Sequence, residues 1–276
     1  MNSLPIATPV GKVGFDVTSN RRRQVSISRV GGLPIAIVDR AESAELMVDL
    51  ALDRRDTTIP PLIVTSANGQ VLSLCARQAA IRDLFLQTDL IHADGMSLVF
   101  ASRAFCKRPL PERICTTDFF HDVAEVGQRR GARMFFLGGT QAVIEAAAQR
   151  MQAQYPNLKV VGCASGYARR AGEEARVIDA INAAQPDILW IGLGVPLEQQ
   201  FAVRNRDRLR GVGLIKTAGG LFDVLSGDKS RAPRWLINVG MEWVYRWYLE
   251  PRRLAVRYLT TNPHALYLLL TRTGDR

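Results

Sequence analysis

A chain of 276 residues with 47% apolar residues can bury the core of one large domain or two modest ones, and its net charge of +10 is typical of proteins that bind nucleic acid, anionic lipid or phosphorylated substrates. Its four cysteines show neither a C-x-x-C pair nor metal-ligand spacing with the three histidines, so we expect a reducing compartment and no disulfide scaffold. The first residues lack the apolar centre of a signal peptide, and no run reaches the ~20 apolar residues of a transmembrane helix.

Along the chain, a predicted flexible leader (1–30) with a basic cluster at 21–23 precedes a long α/β region that extends to about residue 228. In this region, apolar runs typical of strands alternate with amphipathic stretches typical of helices. The strand-like runs are 33–39, 61–67, 89–95, 132–139, 158–166, 187–194 and 212–220. Strands that are apolar throughout and alternate with helices predict a largely parallel sheet covered on both faces.

The last segment, residues 229–276, breaks this alternation. We predict two or three helices punctuated by Pro251 and Pro263, and the segment holds nine Lys/Arg but three acids, with three of the four tryptophans. Basic amphipathic helices with interleaved aromatics suit a membrane surface, while arginines also suit bidentate phosphate contacts. A solvated charged face is the third alternative, but it does not require three tryptophans. We therefore predict a basic, aromatic helical appendage that binds the membrane.

Polar or glycine-rich sequence follows several predicted strands, which is where open α/β sheets bind ligands. Asp94 is a candidate general base at such an end, or a helix N-cap. Thr65 and Asn68 either bind ligand or form a turn. The other candidates at strand ends are Gly138, Gly139, Gly192, Gly194, Pro196, Gly219, Gly220 and Asp223.

Two nucleotide-binding signatures are incomplete. In Gly192-x-Gly194 the third glycine is replaced by Pro196, and no strand ending in an acid follows at the right distance, so an NAD-dependent oxidoreductase is a weak alternative. The chain has no D-x-D pair, with which glycosyltransferases often hold a metal-bound nucleotide sugar. Sugar-nucleotide chemistry here would neutralise a diphosphate with arginines and helix N-termini. Besides an oxidoreductase and an enzyme of sugar-nucleotide chemistry, a non-enzymatic basic membrane-binding protein is the third alternative.

Six motifs together resemble the WecG/TagA/CpsF glycosyltransferases, glycosyltransferase family 26. The resemblance covers about residues 35–260, and its most specific part runs from Gly219 to Tyr258. The motifs are IVTSANGQ, HADGMSLVFASR, ERICTTDFF, FFLGG, GLGVPLEQQF and KTAGGLFDVLSGDKSRAPRWLINVGMEWVYRWYLEPRRLAVRY.

The resemblance implies a Rossmann-like fold and an inverting, metal-independent hexosyltransferase without a cofactor. Its expected substrates are a UDP-sugar and a polyprenyl-diphosphate-linked sugar, at the inner face of the cytoplasmic membrane, with no nucleic-acid partner. Members that build teichoic acid or enterobacterial common antigen use UDP-ManNAc, whereas exopolysaccharide members use UDP-glucose, so the donor stays open. The Ala- and Arg-rich composition slightly favours exopolysaccharide. Pairing of apolar faces into a homo-oligomer also stays open.

Site residues follow from the resemblance by position. Asp94 in the Asp-Gly motif becomes the candidate base for the acceptor hydroxyl. Thr65 would help to position the sugar or the base, with Asn68 one residue farther on than in the family. Arg113 would meet phosphate, with Thr117 and Asp118 behind it.

A second group of residues comes from the later motifs. The family's Pro-Lys-Gln-Glu stands here as Pro-Leu-Glu-Gln from Pro196, so one of Glu198 or Gln199 is expected to reach the nucleotide or sugar. In the tail, the candidates for the diphosphates and the lipid surface are Arg231, Arg246, Arg252, Arg253 and Arg257.

Overall fold

The protein contains two β-sheets, seen in a computed structural model that describes residues 12–15, 23–167, 173–229, 232–233, 236, 242–249 and 251–274. The smaller sheet is antiparallel, in the order β1 (Lys12–Phe15), β2 (Arg23–Val30) and β3 (Leu33–Ile37). The larger sheet is parallel, in the order β5-β4-β9-β8-β6-β7. Its strands are β4 (Leu62–Ala67), β5 (Leu90–Ala93), β6 (Arg133–Gly138), β7 (Lys159–Ala164), β8 (Ile188–Gly192) and β9 (Leu214–Thr217).

Helices connect the strands of the parallel sheet and cover both of its faces. They are α1 (Arg40–Leu52), α2 (Gly69–Arg77), α3 (Ala79–Leu86), α4 (Met96–Phe105), α5 (Thr116–Arg130), α6 (Gln141–Gln154), α7 (Glu173–Ala184), α8 (Leu197–Asn205), α9 (Leu221–Leu225), α10 (Glu242–Leu249) and α11 (Pro251–Thr271), with a short 3-10 helix at Arg206–Arg208. The predicted α/β class with a parallel, helix-covered sheet is confirmed.

Every predicted apolar run contains a strand, but the first run does not join the parallel sheet. It forms β3, which pairs with β2 across a tight turn at Gly31 and Gly32, both at positive φ. Such a backbone suits glycine, which has no Cβ to clash. The segment that the sequence analysis treated as a leader therefore contributes β1 and β2, and Val25 and Val30 are buried.

Successive residues of a strand point to opposite faces, so each strand of the large sheet contributes to two cores. One face packs on α1, α5 and α6 through residues such as Val64, Phe136 and Trp190. The opposite face packs on helices that include α2 and α8, through residues such as Ile63 and Ile215. This alternation decides which strand-end side chains can meet.

The end of the chain is built into this body. Ala265, Leu268 and Leu269 of α11 are buried, and the backbone of Gly32 donates a hydrogen bond of 2.9 Å to the carbonyl of Arg272. Pro251 begins α11 as predicted, but Pro263 lies inside the helix and does not end it. An internal proline costs about 3 kcal/mol, and the packing of α11 on α2 offsets that cost.

The tail arginines differ in how far the structure describes them. Arg231 lies outside the described residues, and Arg246, Arg252, Arg253 and Arg257 lie on the described backbones of α10 and α11. Within the described part of the chain, no helix has both the length and the hydrophobicity needed to cross a bilayer.

Candidate active site

The carboxyl ends of β4, β5 and β9 meet, because β4 lies between the other two. The backbone N–H of Asp94 donates to the carbonyl of Ala67 at 2.8 Å, and that of Ile114 donates to the carbonyl of Ala93 at 2.8 Å. These bonds hold three chain segments side by side: the end of β4, the end of β5 and the loop that contains Arg113. The predicted general base and the predicted phosphate ligand therefore lie near each other.

Asp94 is half-buried at the start of the β5–α4 connection. The N-cap residue of α4 is Gly95, so the capping role considered for Asp94 is not the one that the structure gives it. Its Oδ2 accepts a hydrogen bond of 3.4 Å from the hydroxyl of Thr116, the first residue of α5. A carboxylate held in this way can accept a proton from a substrate hydroxyl.

Residues in the first turn of α5 contact two different partners, Asp94 and Arg40. Thr116, which the sequence analysis did not select, contacts Asp94, while the selected Thr117 is buried. Asp118 lies 3.9 Å from the guanidinium of Arg40 on α1, at the far side of this turn. Arg113, three residues before the helix, is half-buried.

On the face of the sheet that packs against α5, a cluster of polar side chains lies at the strand ends. We call Lys216, Ser66, Thr116 and Asp94 the polar group. The Lys216 ammonium donates to the Ser66 hydroxyl at 2.8 Å and to the carbonyl of Thr217 at 3.0 Å. The Ser66 hydroxyl lies 3.4 Å from that of Thr116, so a polar chain runs from Lys216 through Ser66 and Thr116 to Asp94. Burial lowers the pKa of Lys216 to about 8, although attraction to Asp94 and Glu198 raises it.

His92 lies beside this group, opposite Ser66 in the β4–β5 register. Its ring is fully buried, stacks edge-on against Phe119 and contacts the Ser43 hydroxyl through Nε2 at 3.0 Å. Burial, and then the charge of Lys216, lower the pKa of His92 well below its ordinary value. We therefore treat it as a neutral packing residue.

The opposite face of the strand ends carries the predicted Thr65. Its hydroxyl lies 2.8 Å from that of Thr217 and accepts a hydrogen bond of 3.0 Å from the Gln199 amide on α8. Both Thr65 and Gln199 are fully buried. Thr65 thus faces away from the hydrogen-bonded side chains that lead to Asp94, whereas its neighbour Ser66 is one of them.

Glu198 joins two strand-end loops. Its Oε2 accepts hydrogen bonds from the backbone N–H groups of Gly194, at 3.2 Å, and Gly219, at 2.8 Å. Both glycines have positive φ, which points their N–H groups inward at no steric cost. Burial raises the pKa of Glu198, while these two bonds, Lys216 and Gln199 oppose the shift. The acid therefore stabilises the loops that follow β8 and β9.

The candidate glycines at strand ends have two different surroundings. A Cβ on Gly138 would lie 2.5 Å from the carbonyl oxygen of Gly192, and one on Gly192 would lie 2.8 Å from that of Gly219. These contacts explain two of the glycines by close packing of strand ends. Above Gly194 and Gly219 the space for a Cβ is open, with no heavy atom within 4 Å. These positions leave room for a ligand to approach the backbone.

The remaining candidates have local roles. The side chain of Asn68 caps α2 by accepting from the backbone of Val71, and the Asp223 carboxylate lies 3.0 Å from the Lys229 ammonium. Pro196, after a cis peptide bond, is the N-cap residue of α8. Gly139 and Gly220 lie in the turns after β6 and β9, with Gly220 exposed.

A cavity of about 430 Å³ lies next to the β8–α8 loop, lined in part by Tyr167, Leu193, Leu197 and Phe201. It is on the α7 side of the loop, and Asp94 is not among its lining residues. Elsewhere in the described ranges, no three His, Cys, Asp or Glu residues come together as a metal-binding group.

The comparison with protein families decides the family. The family described as "Glycosyl transferase WecG/TagA/CpsF family" matches residues 28–276. The chain belongs to this family. It is therefore a glycosyltransferase of the hexosyltransferase type, which sets aside the oxidoreductase and the non-enzymatic binding protein as alternatives.

Three similar curated proteins share one name, N-acetylglucosaminyldiphosphoundecaprenol N-acetyl-beta-D-mannosaminyltransferase. The protein of Bacillus subtilis (strain 168) is 30% identical over 207 residues, which cover 75% of this chain and 78% of the relative. That of Bacillus spizizenii is 29% identical, covering 69% and 72%. That of Staphylococcus aureus (strain NCTC 8325 / PS 47) is 27% identical, covering 70% and 74%.

Sequence reasoning about this glycosyltransferase missed three residues of the polar group. Ser66 and Thr116 are small hydroxyl residues next to selected ones, and nothing local distinguishes them from their neighbours. Lys216 did give a signal, because lysine is almost never fully buried without partners, and it stands within the apolar strand run 212–220. A charged residue in such a strand predicts a functional or paired group.

Proposed function

We propose that this enzyme transfers a sugar from a UDP-sugar to a sugar carried on a polyprenyl diphosphate, with inversion at the anomeric carbon and without a metal ion. The observation that carries the proposal is the half-buried carboxylate of Asp94, held by Thr116 at the carboxyl edge of the sheet. The names of the relatives support the acceptor class, since each describes a transferase whose acceptor is a sugar diphosphoundecaprenol.

The chemistry at the acceptor needs one base. The acceptor oxygen attacks the anomeric carbon, its proton passes to Asp94, and the bond from that carbon to the UDP oxygen breaks. A positioned base contributes about 10²–10⁴-fold to such a reaction. The hydrogen bond from Thr116 fixes the orientation of the carboxylate, while half-burial still leaves it accessible to a substrate hydroxyl.

The leaving diphosphate needs positive charge. Arg113 is the candidate, because the bond from Ile114 to Ala93 holds its loop beside Asp94. Arginine binds a phosphate with two parallel hydrogen bonds, which suits a leaving group that gains charge in the transition state. The open space above Gly194 and Gly219 is where we propose that the donor approaches the backbone.

The acceptor lipid sets the location of the reaction. A polyprenyl chain stays in the bilayer, so we propose that the enzyme works at the inner face of the cytoplasmic membrane. The described part of the tail supports contact with a lipid surface, because Trp247, Tyr248, Leu259 and Leu266 expose large apolar surfaces. The tail arginines would bind anionic headgroups or the acceptor diphosphate.

The base assignment is tested by Asp94→Asn, with Asp83→Asn on the exposed surface of α3 as the matched control. Purified protein, a lipid-linked GlcNAc diphosphate acceptor and a donor are incubated, and the UDP released is measured. We expect Asp94→Asn to lower kcat by at least about 100-fold, the scale of a lost general base, while the control keeps the wild-type rate. Near-normal turnover of a folded Asp94→Asn enzyme would reject the base.

The donor and the metal requirement are tested in the same assay. UDP-ManNAc is the first choice because of the relatives, and UDP-glucose is the alternative raised by the exchanged Glu198-Gln199 pair and by the composition. The preferred donor is the one with the highest kcat/KM in a panel of UDP-sugars. We expect turnover to survive EDTA, and a strict need for Mg²⁺ or Mn²⁺ contradicts the metal-free mechanism.

A further inference from the structure

Lys216 is a buried charged residue that the proposed mechanism does not use. Its side chain is 0% exposed. It lies on β9, a central strand of the parallel sheet, which has β4 on one side and β8 on the other. A buried ammonium is costly unless it is paired or hydrogen-bonded, so a residue of this kind needs a compensating role. A leucine or valine, like those elsewhere in these strands, would fill the same space without that cost.

The ammonium is tied to the candidate base by a chain of hydroxyl groups. Lys216 Nζ lies 2.8 Å from Ser66 Oγ, Ser66 Oγ lies 3.4 Å from Thr116 Oγ1, and Thr116 Oγ1 lies 3.4 Å from Asp94 Oδ2. Each member belongs to a different element: β9, β4, the start of α5 and the end of β5. These hydrogen bonds therefore connect four elements of the fold at one point, so they depend on how those elements are placed relative to one another.

The direction of the hydrogen bonds follows from the lysine. An ammonium can only donate, so Ser66 must accept from Lys216 and its own proton is directed elsewhere. The nearest acceptor in the chain is the Thr116 hydroxyl, which in turn donates to Asp94. The charge of Lys216 thus fixes the orientation of two hydroxyls and leaves a donor aimed at the carboxylate.

Two charged groups act on the ammonium, and a neutral titratable group lies beside it. Asp94 after β5 and Glu198 on α8 attract it, and the neutral ring of His92 lies on the same face of the sheet. Attraction between two charges is mutual, so the ammonium favours the ionised carboxylate of Asp94. Lys216 is therefore linked to Asp94 both through hydrogen bonds and through charge.

We infer that Lys216 is a positioning residue of the transfer reaction, which orients Asp94 through Ser66 and Thr116. This inference rests on the proposed role of Asp94 as general base. Lys216 does not contact the substrate, since its side chain is fully buried. Its loss should affect the rate of the chemical step rather than substrate binding.

The test compares Lys216→Met with Lys159→Met, which removes an exposed lysine at the opposite end of the sheet. Initial rates are measured with the UDP-sugar and lipid-linked acceptor that give the highest wild-type activity, from pH 6 to 10. We expect Lys216→Met to lower kcat about 10- to 100-fold, the scale of a misplaced catalytic group, with KM changed by less than about 2-fold. The control should match the wild type.

The pH profile distinguishes this role from a structural one. The wild-type kcat should fall as pH rises past about 8, where Lys216 loses its proton, and Lys216→Met should lack this decline. A folded Lys216→Met enzyme that keeps wild-type kcat, or that keeps the alkaline decline, overturns the inference. An increase in KM alone also overturns it, because that result indicates substrate binding.

A second variant decides the case in which Lys216→Met does not fold. Ser66→Ala removes one hydroxyl from the chain and leaves the lysine in place. We expect it to lower kcat at least 3-fold with unchanged KM, and wild-type kcat in this variant overturns the inference.

Transfer by the wild-type enzyme is the separate test of the proposed function. If the wild-type enzyme transfers no sugar, the proposed function fails. The ratios of variant to wild-type kcat test only the role of Lys216.

Discussion

The pair formed by Glu198 and Gln199 allows a quantitative test of how the strand-end loops are held. Glu198 Oε2 accepts from the backbone of Gly194 and Gly219, and its Oε1 accepts from the Gln199 amide at 3.3 Å. The same Gln199 amide nitrogen donates to Thr65. Glu198→Gln would place two amide nitrogens, both donors, against each other in a buried site. Flipping the new amide would instead oppose it to two backbone donors.

The expected cost of Glu198→Gln is about 2 kcal/mol of unfolding free energy. One buried donor left unpaired costs about 1–3 kcal/mol, and the loop N–H groups lose a charged acceptor. Removing the buried charge offsets part of this, since burial raises the pKa of Glu198. The single change Gln199→Glu should cost more, because it brings two carboxylates together.

The double variant Glu198→Gln/Gln199→Glu restores a donor facing an acceptor at this contact. The amide introduced at position 198 can donate to the carboxylate introduced at position 199, and its oxygen still accepts from the two loops. We expect a favourable coupling energy of about 2 kcal/mol in a double-mutant cycle, measured by equilibrium urea unfolding of the four proteins. Additive single effects, with coupling below about 0.5 kcal/mol, would refute this account of the contact.

Two stability predictions concern regions away from the candidate site. Asp187→Asn should cost about 2 kcal/mol, because the fully buried carboxylate accepts two hydrogen bonds from Arg55, at 2.6 and 2.8 Å, and the introduced amide nitrogen would face a donor. Burial by itself would raise the pKa of Asp187, but its hydrogen bonds lower the net pKa. The pair therefore stabilises the fold above about pH 4. The difference in unfolding free energy between wild type and variant should shrink as acid protonates the native carboxylate. Urea unfolding between pH 7 and pH 3 measures this, and a difference that grows in acid contradicts it. Leu268→Ala in α11 should cost about 2–5 kcal/mol and exposed Leu270→Ala under about 0.5 kcal/mol, and equal melting temperatures would show that α11 does not pack as described.

Local sequence was sufficient for the elements and for the edge of the sheet that carries chemistry. Apolar runs of strand length alternate with amphipathic stretches, and this period is a property of neighbouring residues, so the strands and the α/β class could be predicted. The position of Asp94 also follows locally, because a polar residue after a buried strand must lie at the carboxyl edge. The family resemblance, confirmed by the match over residues 28–276, added the type of reaction.

Local sequence was not sufficient for strand partners. The run at 33–39 has the same apolar character as the others, yet it pairs with β2 in a separate antiparallel sheet. Pro263 predicted a helix end, but burial of Leu268 and Leu269 in the core keeps α11 continuous through it. In both cases a long-range contact outweighs a local preference.

The composition of the site was also decided by the tertiary structure. Thr65 and Ser66 are adjacent in sequence, but the pleat of β4 sends Thr65 to Gln199 and Ser66 to Lys216. Lys216 lies 150 residues from Ser66 along the chain, and the two meet only because β9 pairs with β4. Sequence alone could indicate which residues are able to do chemistry at a strand end. The strand order and register decide which of them meet, because they depend on packing between segments that are distant in the chain.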